Sequence, residues 1–126
     1  MNIVGHGIDM IEVARVAGAL TKSDDFLFGW FTSRELSELG ERVTQARVIA
    51  GRVAAKEAVV KSLGTGFDAD VSWQDVEILV TEAGAPLAHV SGGAEAAAAV
   101  LGANQIFVSI SNENQFAIAS AIAVAG

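Results

Sequence analysis

Residues 44–63 read TQARVIAGRVAAKEAVVKSL, and this stretch decides the fold. It is rich in Ala, Val, Arg and Lys, it lacks proline, and Gly64 follows it directly. These features predict one long helix that stops at Gly64. Apolar residues lie around most of its circumference, which indicates burial. The internal Gly51 costs about 1 kcal/mol relative to alanine, so we expect a neighbouring helix or sheet to approach closely there.

The rest of the chain divides into short elements. A strand is predicted over residues 2–8, a helix over 10–20 and a loop or short turn over 21–28. Thr32 with Glu35 three residues later predicts a capping box that opens a helix to about Leu39, ended by Gly40. Further patterns predict strands over 76–80 and 87–90 joined by a turn over 81–86, a helix over 93–101, and strands over 106–111 and 116–124. The chain is therefore expected to form one α+β domain over residues 1–126.

Charge is distributed unevenly along the chain. The 126 residues carry 8 Lys and Arg against 15 Asp and Glu, a formal net charge of −7. All eight bases lie in residues 1–61, which hold eight acids, whereas residues 62–126 hold seven acids and no base. The acidity argues against nucleic-acid binding and against an anionic membrane surface. The uneven charge fits a solvated acidic surface, or it indicates that any anionic ligand binds before residue 62.

Several site classes and locations are excluded or disfavoured by composition. The chain has no cysteine, which excludes disulfides, zinc thiolates and thiol nucleophiles and fits a reducing, cytoplasmic compartment. Asp9 and Glu12 interrupt the first apolar run, so no secretory signal is expected. No stretch approaches the roughly 20 apolar residues that a membrane span needs.

Two carboxylates stand out as candidates for chemistry. Asp9 follows the first predicted strand, where it either caps the next helix or serves as a ligand. Glu57 and Lys61 are four residues apart and share a helix face, so they form a surface ion pair or line a cleft. If Asp9 and Glu57 converge, their oxygens make a site for a hard cation, Mg²⁺ before Zn²⁺.

Phosphate contacts are predicted from residues near this carboxylate pair. Arg52, Lys56 and Lys61 lie on the same helix as Glu57 and are candidates to bind phosphate oxygens. The sequence Gly64-Thr65-Gly66 either offers backbone N–H groups to a phosphate or simply ends the helix.

The motifs together resemble a known family. Residues 5–9 (GHGID), 50–61 (AGRVAAKEAVVK) and 64–66 (GTG) resemble the holo-(acyl carrier protein) synthases, the small 4′-phosphopantetheinyl transferases. Residues 76–78 (VEI), Gly84-x-Pro86 and residues 108–111 (VSIS) follow in the family's order, so the resemblance covers essentially the whole chain. It implies the fold of that family, an antiparallel sheet packed against a long helix.

The resemblance also implies an enzymatic reaction. The family moves the phosphopantetheine of coenzyme A to a serine of an acyl carrier protein and leaves adenosine 3′,5′-bisphosphate. By resemblance, Mg²⁺ is held by Asp9 and Glu57 together with the pyrophosphate, and Lys61 neutralises phosphate charge. Glu57, directly or through water, is the candidate base for the serine proton.

Partners follow from the same resemblance. The family is typically a homotrimer whose active sites are shared between neighbouring protomers. The nucleotide end of coenzyme A is expected at Gly84, Pro86, Ser111 and Asn112, although Asn112 stands where the family usually has His. The first helix offers only Arg15 for docking an acidic carrier, with Lys22 just beyond it. We therefore expect a carrier domain within a larger fatty acid synthase, or a more apolar docking surface.

Two other functions are alternatives to this transfer reaction. A binding module with this fold would have no need of Asp9, Glu57 and Lys61 together. A small Mg²⁺-dependent phosphohydrolase would use the carboxylates but would release phosphopantetheine without any carrier.

Overall fold

The central element is a long helix that is buried on nearly every side. The computed structural model describes residues 1–126, and this helix, α4, spans Ala46–Ser62. Twelve of its 17 residues are buried, so it lies inside the molecule rather than on its surface. The predicted helix over 44–63 is confirmed, and Gly64 follows with a φ of 76°, the left-handed conformation that commonly ends helices.

A three-stranded antiparallel sheet covers one side of α4. It consists of β1 (Asn2–Glu12), β5 (Phe116–Ala125) and β4 (Gln105–Asn112), in the spatial order β1-β5-β4. Its inner face is built from small residues, including a row of buried alanines in β5 at 117, 119, 121 and 123. A Cβ added at Gly5 or Gly7 would overlap backbone carbonyl oxygens of α4. Small side chains therefore let helix and sheet pack closely.

Gly51 provides the same close approach from the helix side. A Cβ at this position would lie 2.9 Å from Asn112 Nδ2 and 3.1 Å from Ile110 Cγ2 of β4. The predicted close approach at this glycine is confirmed.

The remaining elements surround the other sides of α4. These are α1 (Val13–Lys22), α2 (Asp25–Trp30), α3 (Ser33–Leu39), β2 (Val76–Val80), β3 (Pro86–Val90) and α5 (Gly92–Leu101), with single 3₁₀ turns at Gly40–Thr44 and Trp73–Asp75. β2 and β3 form the predicted antiparallel hairpin, in which Val80 pairs with Pro86. The predicted capping box is confirmed, since Thr32 Oγ1 accepts from Glu35 N at 3.2 Å and Glu35 Oε1 accepts from Thr32 N at 2.9 Å.

Two predictions near the amino terminus are wrong. The first strand continues past Ile8 to Glu12, because residues 9–12 pair with residues 116–119 of β5. The ladder overrides the helical pattern, α1 begins at Val13, and Asp9 is therefore not a helix cap. Residues 25–30 form the short helix α2 instead of the predicted loop or short turn, supported by a hydrogen bond from Asp25 N to Ser23 Oγ at 3.0 Å.

The free edge of β2 is covered by side chains instead of a strand. Glu35 Oε2 accepts from Ile78 N at 2.9 Å, and Glu38 Oε1 accepts from Val80 N at 2.7 Å. Both glutamates project from α3, so this helix takes the hydrogen-bonding role of a neighbouring strand.

Candidate active site

Asp9 and Lys61 form the first part of the site. Asp9 lies on the inner face of β1, and Lys61 lies in the last turn of α4 beside it. Lys61 Nζ donates to Asp9 Oδ1 at 3.0 Å and to the Ile8 carbonyl oxygen at 3.0 Å. About half of the Lys61 side chain remains exposed, so its ammonium group is accessible to a ligand from solvent.

Glu57 adds a second carboxylate one turn earlier on α4. Burial and the nearby negative charge of Asp9 raise the pKa of Glu57 above its ordinary value, and Lys61 lowers it in part. Two carboxylates and one lysine thus lie close together, the arrangement that the sequence analysis gives as a condition for a cation site. A carboxyl group with a raised pKa is better suited to accept a proton near neutral pH. The arrangement also leaves carboxylate oxygens available to a hard cation.

Asp9 and Glu57 lie in a largely apolar cleft of about 520 Å³. The lining includes Arg15 from α1 and these apolar residues: Met10, Ile11, Val16, Ala19, Phe26, Trp30, Val53 and Trp73. Trp30 and Trp73 stack with ring centroids 4.2 Å apart and planes 7° apart. The cleft therefore combines a charged floor with an aromatic wall, the composition typical of ligand sites.

The sequence does not predict this aromatic wall. Phe26 and Trp30 belong to α2, which is too short to show a clear periodicity, and Trp73 is distant in the chain. The structure brings them together, and Phe67 extends the stack with its ring centroid 3.9 Å from that of Trp73.

Lys56 is not available to a phosphate, and its predicted role as a phosphate contact is wrong. Its side chain is fully buried and its Nζ donates to Glu35 Oε1 at 2.8 Å. The Trp73 and Val76 carbonyl oxygens accept the other two N–H groups. Burial lowers the pKa of Lys56, and the Glu35 carboxylate opposes that shift. One residue on a helix is a rotation of about 100°, which turns Lys56 away from the cleft that holds Glu57.

Arg52 lies in a second cavity rather than beside Asp9 and Glu57. It pairs with Glu38 at 3.1 Å and donates to the Ile78 carbonyl oxygen at 3.5 Å. This cavity, of about 230 Å³, is lined by Arg42, Val48, Gly51, Arg52, Val80, Gly84, Pro86, Ile110 and Asn112. Three residues predicted to bind one end of the ligand, Gly84, Pro86 and Asn112, are thus brought together. No residue lines both cavities.

Four other predicted contacts lie elsewhere. Ser111 does not line the second cavity, because neighbouring residues of a strand point to opposite faces and Asn112 takes the inward position. The backbone N–H groups of Gly64 and Thr65 donate to the Lys61 and Val60 carbonyl oxygens. These two donors end the helix and are not free for a phosphate, whereas the N–H of Gly66 makes no such bond.

Comparison with known proteins gives the chain its family. The 4′-phosphopantetheinyl transferase superfamily matches residues 5–121. The chain belongs to this superfamily. The resemblance seen in the sequence is therefore confirmed, and the protein is an enzyme, a transferase of the phosphopantetheinyl type.

Curated relatives of this transferase are similar over nearly their whole length. The holo-[acyl-carrier-protein] synthase of Alkaliphilus metalliredigens is 43% identical over 121 residues, which cover 96% of this chain and 98% of the relative. The holo-[acyl-carrier-protein] synthase of Clostridium acetobutylicum is 41% identical over 120 residues, which cover 95% of this chain and 96% of the relative.

Solved structures show the same fold for this transferase. The holo-ACP synthase of Plasmodium yoelii matches with a TM-score of 0.86 and 32% identity, covering 99% of this chain and 97% of that one. The Helicobacter pylori enzyme in complex with coenzyme A matches with a TM-score of 0.81 and 27% identity, covering 94% of this chain and 99% of that one. The expected α+β architecture, an antiparallel sheet against a long helix, is confirmed.

The donor set of the transferase limits how it can hold a metal. No group of three or more His, Asp or Glu side chains is placed to hold an ion. Asp9 and Glu57 alone fit the one or two carboxylates by which proteins usually bind Mg²⁺, with water and substrate phosphates completing the coordination.

The structure contains no helix with the length and apolar character that a membrane span requires.

Proposed function

We propose that this enzyme transfers the 4′-phosphopantetheine group of coenzyme A to a serine of an acyl carrier protein. The carrier is either a free protein or a carrier domain of a fatty acid synthase, and the other product is adenosine 3′,5′-bisphosphate. The observation that carries the proposal is the convergence of Asp9 and Glu57 in one cleft, with Lys61 bonded to Asp9. The names of the relatives support it. The absence of cysteine supports a cytoplasmic location.

Mg²⁺ is the proposed cofactor, held by Asp9 and Glu57. Both are hard oxygen donors, and neither a thiolate nor a histidine accompanies them in the cleft. When bound, the ion would neutralise charge on the pyrophosphate of coenzyme A.

Each side chain of the cleft has a distinct role in the proposed transfer. The serine oxygen of the carrier attacks the β-phosphorus of coenzyme A, and the bond from that phosphorus to the bridging oxygen breaks. Glu57 accepts the serine proton, directly or through water, which its raised pKa favours. Lys61 stabilises negative charge on the phosphates, and Asp9 fixes the position of Lys61 at 3.0 Å.

The nucleotide end of coenzyme A is assigned to the second cavity. That cavity shares no lining residue with the cleft of Asp9 and Glu57. We therefore propose that a complete active site combines the cleft of one protomer with the second cavity of its neighbour in a homotrimer.

The outer face of the sheet supports this assembly. It presents the exposed apolar side chains Ile8, Met10, Phe107 and Ile118, whereas α4 covers the opposite face. Several large apolar side chains exposed on one face are characteristic of subunit interfaces.

The carrier is proposed to dock across the mouth of the cleft, at α1. Arg15 is the only basic residue that lines the cleft, and most of its neighbours there are apolar. The surface therefore favours a carrier held by apolar contacts or tethered within a larger synthase.

The decisive experiment is to incubate the protein with coenzyme A, Mg²⁺ and an apo carrier and to weigh the carrier by mass spectrometry. A phosphopantetheine-sized gain supports the transferase. Consumption of coenzyme A without a gain supports a phosphohydrolase, and no change in either supports a binding module. Glu57→Gln should abolish the gain, and Glu95→Gln, on the exposed surface of α5, is the matched control that should retain it.

A further inference from the structure

The outer face of the three-stranded sheet carries a histidine among apolar side chains. A Cβ added at Gly5 or Gly7 would overlap α4, so His6, which lies between these glycines, points away from the helix. The His6 side chain is exposed. His6 pairs with Ile122 of β5, and Ile122 pairs with Phe107 of β4 on its other side. The histidine therefore lies in a row of side chains that crosses the whole outer face.

His6 has no charged partner within the sheet. β4 and β5 contain no charged residue, and the only acids of β1 are Asp9 and Glu12. Asp9 lies on the opposite face, and Glu12 ends the strand about 20 Å from His6, at roughly 3.3 Å per residue. Glu113 lies in the turn between β4 and β5, at the same end of the sheet as Glu12. None of the five ion pairs of the chain includes His6.

Charged groups on the elements that pack against β1 also lie away from this histidine. α4 covers the inner face of the sheet, where it places Glu57 and Lys61 in the region of the cleft. α1 adds Arg15 to the lining of the same cleft. The terminal amino group of Met1 and the terminal carboxylate of Gly126 lie beyond the paired ends of β1 and β5. A positive charge on the outer face would therefore be uncompensated if that face were covered.

The partners that this face fits are further copies of the same chain. A face with exposed apolar side chains and no ionised partner for the histidine suits another apolar face. Its two edge strands also carry separate parts of the proposed active site, since Asp9 of the cleft lies on β1 and Asn112 of the second cavity ends β4. A head-to-tail ring repeats one contact around an axis, so the β1 edge of each protomer can meet the β4 edge of the next. Such a ring buries one His6 from each protomer.

We propose that protonation of His6 separates the protomers and thereby takes the active site apart in mild acid. The inference rests on the proposed function, because the homotrimer is part of that proposal. A neutral imidazole is tolerated in an apolar interface, whereas an imidazolium ion without a partner is costly to bury. Histidine is the side chain whose charge ordinarily changes between about pH 5 and 8. Acid therefore removes the neutral form on which assembly depends.

The pH dependence expected from His6 is opposite in sign to that expected from overall charge. Separated protomers bind more protons than the trimer, so assembly strengthens as pH rises. The net charge of −7 becomes less negative as pH falls toward the sequence pI of about 4.6. Weaker repulsion between molecules would by itself strengthen association in acid. Dissociation on acidification therefore identifies a group that gains a proton at the interface.

The test is sedimentation of the natural protein without substrate, over a dilution series at about pH 7.5 and at about pH 5.5. Uptake of one proton by each of three protomers predicts that the dissociation constant of the trimer rises by up to about 10³-fold over this range. Far-UV circular dichroism at both pH values should show that the separated protomers stay folded. A dissociation constant that is the same at both pH values, or a monomer at both, would overturn the proposal.

Variants of the histidine separate its charge from its packing. His6→Leu should remain trimeric and lose the pH dependence, whereas His6→Lys carries a charge at both pH values and should be monomeric at both. His89→Leu is the matched control, because it removes the only other histidine, which is exposed on β3 outside this sheet. It should keep the pH dependence of the natural protein. A pH dependence that survives in His6→Leu, or that disappears in His89→Leu, would refute the role of His6.

Carrier modification at the higher pH distinguishes this inference from the proposed function. If the natural protein dissociates in acid as expected but modifies no carrier, the role of His6 stands and the transfer function fails. If the natural protein modifies a carrier while it sediments as a monomer at both pH values, the transfer function stands and this inference is refuted.

Discussion

Lys56 Nζ and Glu35 Oε1 lie 2.8 Å apart, and both side chains are 0% exposed. The pair joins α4 to α3, and each partner also bonds the backbone of β2. Since removing one partner of a buried ion pair leaves an uncompensated charge, Lys56→Met should lower the free energy of unfolding by about 3–5 kcal/mol. Urea denaturation would measure it.

Lys22→Ala is the control for that experiment, because Lys22 is exposed and makes no ion pair. It should change stability by less than about 0.5 kcal/mol. A stable Lys56→Met variant that had lost only its affinity for coenzyme A would instead restore Lys56 as a phosphate contact.

Glu38 should make the fold sensitive to acid. Burial raises the pKa of Glu38, but the Val80 N–H and the charges of Arg52 and Arg42 outweigh it and hold the pKa below its ordinary value. A carboxyl group with a lowered folded-state pKa stabilises the fold above its unfolded-state pKa, about 4.3. That stability is lost as pH falls below this value and through the lower folded-state pKa. Denaturation over this pH range should show that the difference in free energy of unfolding between the natural protein and Glu38→Gln shrinks as pH falls. A difference that stays constant would contradict the prediction.

Glu57 should show the opposite sign. Its folded-state pKa is raised, so the ionised form costs stability, and this cost grows as pH rises from the unfolded-state pKa through the folded-state pKa. Without metal, Glu57→Gln should therefore be at least as stable as the natural protein at neutral pH, yet inactive in transfer. Thermal melting in a chelating buffer would check the stability of the variant, and mass spectrometry of the carrier would check its loss of transfer. A variant that melts lower would show that Glu57 is needed for the fold.

Metal removal should stop transfer without unfolding the protein. Asp9 and Glu57 contribute only two carboxylates, and Lys61 partly balances them in the absence of an ion. Dialysis against a chelator should abolish carrier modification, and added Mg²⁺ should restore it. Circular dichroism should stay the same throughout. Full activity in the presence of a chelator would exclude the proposed cofactor.

The outer face of the sheet should hold the protomers together. Phe107→Glu or Ile118→Glu places a charge among exposed apolar side chains and should yield monomers in sedimentation experiments. Transfer should be lost as well, because the proposed active site combines two protomers. Val100→Glu is the control, since Val100 is 87% exposed on α5, away from this face. A trimer that survives both sheet substitutions would place the interface elsewhere.

The sequence predicts the parts of the site that depend on residues close together in the chain, and it does not predict those that depend on distant partners. The shared helix face of Glu57 and Lys61 is predictable from their spacing. The position of Asp9 beside them is not predictable from residue patterns alone, since Asp9 and Lys61 are 52 residues apart in the sequence. The roles of Lys56 and Arg52 are not predictable either, because their partners Glu35 and Glu38 are at least 14 residues away. A buried lysine and an exposed lysine look alike in a sequence.

The fold shows the same limit. The capping box at Thr32 is a local pattern and is predicted correctly. The end of β1 is not local, since residues 9–12 become a strand only by pairing with residues 116–119. The helix α2 has six residues, too few for a periodicity, and it packs through contacts such as that between Trp30 and Trp73.

The hydrogen bonds that Glu35 and Glu38 accept from β2 also affect the tendency of the protein to aggregate. An uncovered strand edge is a template on which another chain can add a strand and begin to aggregate. Here Ile78 N and Val80 N are both occupied by α3. The lowered pKa of Glu38 keeps its carboxylate ionised near the sequence pI of about 4.6, where repulsion between molecules is weakest. The edge of β2 therefore stays covered at the pH where its exposure would most favour aggregation.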